Sequence, residues 1–302
     1  MIAFFDKWLY GRKRFHKVEK EYLGDVMKIR TAHPILDRLK VIVILCLLLF
    51  ILWQLATVIQ KENSQKKTAT IEKMLKTALE PIGSTMYIWG GGWNVADDDS
   101  GAGSTRIGIS LQWKAFANQQ DESYNFDEHR FERENGLDCS GYVGWVLYNT
   151  FEEENNQPGY VTHSTDLAES LANRGWGKLI HNPKKFLPGD VVSMEGHVWI
   201  CLGTCADGSV LLAHSSPPGA SICGTSVPKQ STETQAESMA QTLATEFMST
   251  YYSDWQKKYP NRAVSNVFLE NVSVFRWSES IMTDAKEMQE LSAEEIIYVI
   301  IK

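Results

Sequence analysis

The most uneven feature of the chain is its distribution of apolar residues. Residues 41–59 read VIVILCLLLFILWQLATVI, with no charged side chain among the nineteen. Nineteen helical residues at 1.5 Å each reach about 28 Å, close to the hydrocarbon thickness of a bilayer. Core helices are rarely apolar on every face for five turns, so the pattern predicts a transmembrane helix. Trp53, Gln54 and Thr57 fall toward its outer end, where polar and amphipathic groups are tolerated. A polar stretch at 60–69 follows and reads as a linker.

Beyond the linker the periodicity changes. Ile71, Met74, Leu75, Ala78 and Leu79 repeat at helical spacing, and Pro81 and Gly83 end the run. Residues 90–103, GGGWNVADDDSGAG, read as an exposed, turn-rich loop. A helix is expected to open near Cys139, with Val143, Val146 and Leu147 on one face. Another is expected over 166–174, with Ser164 or Thr165 as N-cap and Gly175 as stop. Strand patterns occupy 190–193, 197–203 and 210–214, with an ADGS turn at 206–209. A long amphipathic helix is predicted over 232–258 and stopped by Pro260. A strand over 267–277 and a short helix with Ser292 and Glu295 set for a capping box close the chain. Helices followed by antiparallel strands imply an α+β domain.

Charge assigns a direction to this arrangement. Residues 1–40 hold ten Lys or Arg against five Asp or Glu, a net of +5, whereas residues 61–302 hold 20 against 32, a net of −12. Positive charge stays on the cytoplasmic side, which places the N-terminus inside and the acidic body outside. The forty-residue basic region and the missing A-x-A site argue for a retained anchor rather than a cleaved signal peptide. An acidic body lacks the basic stripe that nucleic-acid binding requires. Five cysteines in 302 residues exclude a disulfide scaffold.

The densest chemistry lies at Asp138-Cys139-Ser140-Gly141. A cysteine at a helix N-terminus lies at the positive end of the helix dipole, which lowers its pKa and favours the thiolate. The free N–H groups of the same turn are placed to stabilise an oxyanion. His197 opens one predicted strand, and His214 lies on the next, so the two can sit side by side as base and orienting residue. Cys201, Cys205, His214 and Cys223 do not have the spacing of a zinc site. A disulfide among the three cysteines is open outside a membrane. Asp97-Asp98-Asp99 lacks the alternation of a calcium loop. No metal or organic cofactor is expected. Most tryptophans are assigned to core packing, and His129, His163 and His181 have no evident partner.

Five stretches, Tyr87-Ile-Trp-Gly-Gly, Leu137-Asp-Cys-Ser-Gly-Tyr-Val, Pro188-Gly-Asp-Val-Val, Gly196-His-Val-Trp-Ile and Ala213-His-Ser-Ser, occur in that order. Together, across residues 70–225, they resemble the NlpC-type cell-wall cysteine peptidases. The resemblance implies a papain-like domain that cuts peptide stems of bacterial peptidoglycan. It makes Cys139 the nucleophile, His197 the base and His214 the third residue. It also places Tyr87 at the oxyanion or substrate site, and Asp138 and Ser140 where some members bind a free amine. Two departures stand out: a long segment near 93–135 and the helix near 230–260, read as insertions in the domain at 70–302 that shape the groove or contact a protein partner. The expectation is a single-pass peptidase held in the bacterial cell membrane, its catalytic domain outside. An amidase or acyltransferase on the same scaffold, and a non-catalytic wall-binding or assembly scaffold, are the alternatives.

Overall fold

The computed structural model describes residues 38, 41–55, 69–96, 99–228 and 237–302. The chain divides into two units, residues 1–61 and 62–302. In the first, residues 41–55 are helical and exposed. Among the described residues no helix is long and apolar enough to cross a membrane. The expected span runs to 59, and residues 56–59 lie outside the described part, as do most of the basic flank, the linker up to residue 68, and Asp97 and Asp98.

The second unit is an α+β domain. Its first helix, α1 (Ile71–Leu79), starts where Thr70 Oγ1 accepts the N–H of Lys73 at 3.0 Å. Ile71, Met74, Leu75 and Ala78 form its buried stripe. Helix α2 (Leu111–Gln119) follows, then α3 (Cys139–Phe151) and α4 (Leu167–Asn173). Every residue of α3 except Asn149 is buried. Trp145 meets Trp113 of α2 edge to face, and Tyr142 donates its hydroxyl to the Ala78 carbonyl of α1 at 2.6 Å. An apolar helix of this length is thus buried within protein, and its polar first turn is where it opens to a cavity.

Six strands make one antiparallel sheet in the order β1-β6-β2-β3-β4-β5: β1 (Gly177–His181), β2 (Val191–Met194), β3 (His197–Thr204), β4 (Val210–Ser216), β5 (Gly219–Gly224) and β6 (Ser273–Trp277). The side-chain period of two separates the faces. Val198, Ile200 and Leu202 of β3 join the larger core with α1 and α3, whereas Trp199 and Cys201 join a smaller core with Leu212, Cys223 and Val274. Helices α5 (Met239–Tyr251), α6 (Ser253–Lys258) and α7 (Ala293–Ile300) complete the domain.

Several expectations change in detail. Of the long helix predicted over 232–258, residues 232–236 lie outside the described part and the rest is two helices, because Tyr252 leaves helical geometry at φ −135°, ψ 45°. The first of them begins only after Ser238, which caps it through a capping box with Gln241. The strand predicted over 267–277 is confined to β6, and residues Asn266–Leu269 form a 3-10 turn. The N-cap position of α4 is Asp166, not Ser164 or Thr165, and makes no side-chain capping bond. The loop expected to be exposed from residue 90 is buried through Trp93. Strands β1 and β5 and helix α2 have no counterpart among the elements the sequence pattern predicts. The two segments read as insertions meet each other: Lys258 donates to the Gln120 carbonyl, and Tyr259 Oη to the Asp121 carbonyl at 2.8 Å.

Candidate active site

The site is built where the glycine-rich loop at 90–92 lies against the first turn of α3. Asp138 caps that helix: its Oδ1 accepts the Gly141 N–H at 2.7 Å and the Ser140 hydroxyl at 3.0 Å. Its Oδ2 accepts the Gly90 N–H at 3.2 Å, and its own N–H donates to the Gly91 carbonyl at 3.0 Å. This clamp needs glycine on both sides, since a Cβ on Gly141 would stand 2.0 Å from the Gly91 oxygen. Trp93 Nε1 donates to Ser140 Oγ at 3.1 Å, fixing the indole beside the helix terminus. Asp138 and Ser140 therefore hold the site together, and Asp138 is buried, which raises its pKa to about 6 against the pull of those hydrogen bonds.

Cys139 stands in a cavity of about 320 Å³ bordered by Tyr87, Trp93, His163 and Gly196, with Asp138 and Ser140 also in its wall. Burial is the largest influence on the thiol, and the Asp138 carboxyl adds to it. Together they push its pKa up to about 12 against the backbone N–H groups of Val198, Ser140 and Cys139 itself. The helix terminus thus acts in the direction the sequence suggested, but desolvation outweighs it and Cys139 rests as a neutral thiol. Tyr87 is buried next to it. Burial, then the proximity of Cys139 and Asp138, keeps its phenol protonated and able to donate. Its position is fixed through the backbone, whose N–H donates to the Pro218 carbonyl at 2.8 Å and whose carbonyl accepts Tyr124 Oη at 2.6 Å.

His197 and His214 meet as the strand pattern predicts: His197 Nε2 lies 2.8 Å from His214 Nδ1, with the rings edge to face and Phe268 packed against both. Burial drives His197 down to about 4, and drives His214 well below the ordinary imidazole range with help from the His197 charge. Both rings are therefore neutral at pH 7. No hydrogen bond among the described residues joins Cys139 to either histidine; His197 and His214 are brought together, and Cys139 is not yet paired with them. The backbone of β3 comes up to the cysteine, since Gly196 lines its cavity and the Val198 N–H acts on the thiol, but the two imidazoles do not border that cavity and pack with Phe268 beside the smaller core.

Other residues emerge only in the folded chain. His163 packs on Trp93 with ring centroids 5.1 Å apart, and Trp89 and Phe131 also face the cavity. Nothing in the spacing of His163 ties it to Cys139, 24 residues earlier. The other two histidines without an evident partner also have one: His129 Nδ1 lies 3.1 Å from Glu132 Oε2, and His181 Nδ1 3.0 Å from Ser273 Oγ. Cys201, Cys205 and Cys223 are free thiols. The chain matches no protein-family model, no curated protein and no solved structure with which it was compared.

Proposed function

We propose that the chain is a cysteine peptidase with a papain-like arrangement, anchored in a bacterial cell membrane by the apolar segment at 41–59, that hydrolyses peptide stems of peptidoglycan. The observation that carries this reading is the conjunction of Cys139 at the first turn of α3, open to a cavity, with a hydrogen-bonded His197–His214 pair on the neighbouring strands β3 and β4, the first of which follows Gly196 in the wall of that cavity. His197 uses Nε2 toward His214, so Nδ1 is the nitrogen that would serve as the base once ring and thiol are brought together over the substrate. Because thiol and imidazole both rest neutral, the proton would pass from Sγ to His197 as sulfur attacks the stem-peptide carbonyl carbon.

The tetrahedral oxyanion would be met by the Cys139 N–H and the Tyr87 hydroxyl. Collapse breaks the C–N bond, and the imidazolium returns its proton to the leaving amine. Water then gives a proton to His197 and attacks the thioester, releasing the carboxylate and the free thiol. Trp93, Trp89 and His163 would wall the substrate's approach, and Asp138, already spent on three bonds, would contribute to amine binding only through its charge.

The test is to incubate the full chain in detergent micelles with purified peptidoglycan, beside its Cys139→Ala variant, and weigh the released fragments. Fragments whose masses mark stem-peptide cleavage, and which need Cys139, are expected. Fragments differing at another bond type would move the reading to an amidase. Equal release by both proteins would overturn it.

A further inference from the structure

The hydrogen bonds of the histidine pair do not stop at His214. In the β4–β5 register His214 faces Ser221, and Cys223 is two residues further along the same face. His214 Nε2 lies 3.3 Å from Cys223 Sγ, and Cys223 Sγ in turn lies 3.3 Å from Asn261 Oδ1. Ser221 Oγ is a weaker neighbour of the same sulfur at 3.5 Å. Asn261 is held from the other side, where its N–H donates to Gln256 Oε1 at 3.0 Å. His214, Cys223 and Asn261 all border a second cavity, of about 220 Å³, between Pro217–Pro218 and α6. Cys223 is buried, and burial raises its pKa to about 11, so it keeps its hydrogen.

We infer that Cys223 and Asn261 are positioning residues that fix the tautomer of His214 and, through it, the basic form of His197. The chain of donors has a single consistent direction. If His197 Nδ1 is to take a proton, its Nε2 must carry the ring hydrogen and donate it to His214 Nδ1. His214 then carries hydrogen on Nε2 and needs an acceptor there, which is the Cys223 sulfur. The thiol hydrogen of Cys223 passes to Asn261 Oδ1, which ends the chain. Removing the sulfur leaves a buried N–H without a partner, and the alternative tautomer, with hydrogen on Nδ1, becomes the better one. That tautomer faces the His197 Nε2–H donor to donor and pushes the hydrogen of His197 onto the nitrogen that should be free. The catalytic consequence rests on the function proposed above; the tautomer itself does not.

The experiment labels the histidines of the full chain with nitrogen-15 and reads ring protonation by NMR in detergent micelles, with His197→Gln assigning the pair. In the native chain His214 is expected to carry hydrogen on Nε2. Cys223→Ser, which keeps an acceptor and a donor, retains that state. Cys223→Ala moves the hydrogen to Nδ1, and Asn261→Ala, which spares the sulfur, gives an intermediate mixture should the alanine at 223 fail to fold. On a stem peptide, Cys223→Ala lowers kcat roughly ten- to hundredfold with KM within about threefold, and Cys223→Ser recovers most of it. An unchanged tautomer in both alanine variants, or a serine variant that falls as far as alanine, overturns the inference. If no stem peptide is cut but the tautomer shifts as stated, the positioning role stands and the proposed function falls.

Discussion

Replacing both His197 and His214 by glutamine should remove a specific part of the chain's sensitivity to acid. Each ring is neutral in the fold because burial lowers its pKa, to about 4 for His197, while in the unfolded chain it titrates near 6.5. A depressed pKa contributes stability that is present above 6.5 and is lost as pH falls from 6.5 toward 4, because only the unfolded chain takes up the proton in that window. Between pH 7.5 and 4.5, His197 alone is worth about 2.5 kcal/mol, or about 2 kcal/mol after allowing for its partial exposure, and His214 adds with the same sign. Asp138 works the other way. Its raised pKa stabilises the fold as pH falls through about 6, but the native chain and the variant share that effect, so it cancels in their difference. Urea unfolding of both full chains, followed by fluorescence of the buried Trp113 and Trp145, reads the effect. With a slope of about 2–3 kcal/mol per molar, the native midpoint should fall on acidification by at least roughly 0.7–1 M more than that of the variant, the part due to His197, with His214 adding to it. Equal acid sensitivity in the two proteins would refute the burial argument and, with it, the neutral resting state of the pair.

Three other substitutions test the scaffold of the site. Arg276→Met strips the two-point bond, at 2.9 and 2.7 Å, from the fully buried Asp190, and should cost about 3–5 kcal/mol in urea unfolding, with much of it recovered by adding Asp190→Asn. Gly141→Ala drives a methyl group into the Gly91 carbonyl and should lower stability by about 1–3 kcal/mol or prevent folding, which thermal melting will show. Asp138→Ala loses the cap of α3 and orphans the Gly90 N–H, for a loss of about 2–4 kcal/mol in the same assay, whereas Asp138→Asn keeps most of the stability because its side-chain oxygen can still cap.

Local chemistry was legible in the sequence wherever one residue decides an element. Thr70 and the stripe behind it set α1, and Ser292 with Glu295 form the capping box expected of them. The strands bearing His197 and His214 follow from alternation, and the β3–β4 register, with Ile200 opposite Ala213, then puts the two rings on one face. Periodicity misled at residues 232–258, because Tyr251, Tyr252 and Trp255 continue the apolar face across a break that is made in the backbone. Helix α2 was hidden because it buries only Trp113 and Ala117. Glycine carries two meanings, turn and close approach. At 90–92 both apply, since Gly90 and Gly92 take positive φ, and it took Gly141, some fifty residues away, to show the close approach. Cys223 and Asn261 were invisible as partners of His214 for a similar reason: the first needs the β4–β5 register, the second the segment after α6.

The depressed thiol pKa expected of Cys139 fails for a reason that a sequence does not contain. Dipole and N–H groups are local, but desolvation depends on everything packed above them, including Tyr87 and Trp93. In the proposed reaction a cysteine so placed would gain its reactivity from its base at the moment of attack, and that step is what would join the histidine pair to the thiol.

That link is tested most directly by catching the acyl group on sulfur. The full chain is mixed with a synthetic stem peptide, quenched in acid within the first turnovers, and digested for mass spectrometry. The account predicts a thioester of the peptide's acyl portion on Cys139, absent from Cys139→Ala and greatly reduced in His197→Gln. Peptide cleavage with no adduct on Cys139, or with the adduct on Cys223 instead, would contradict it.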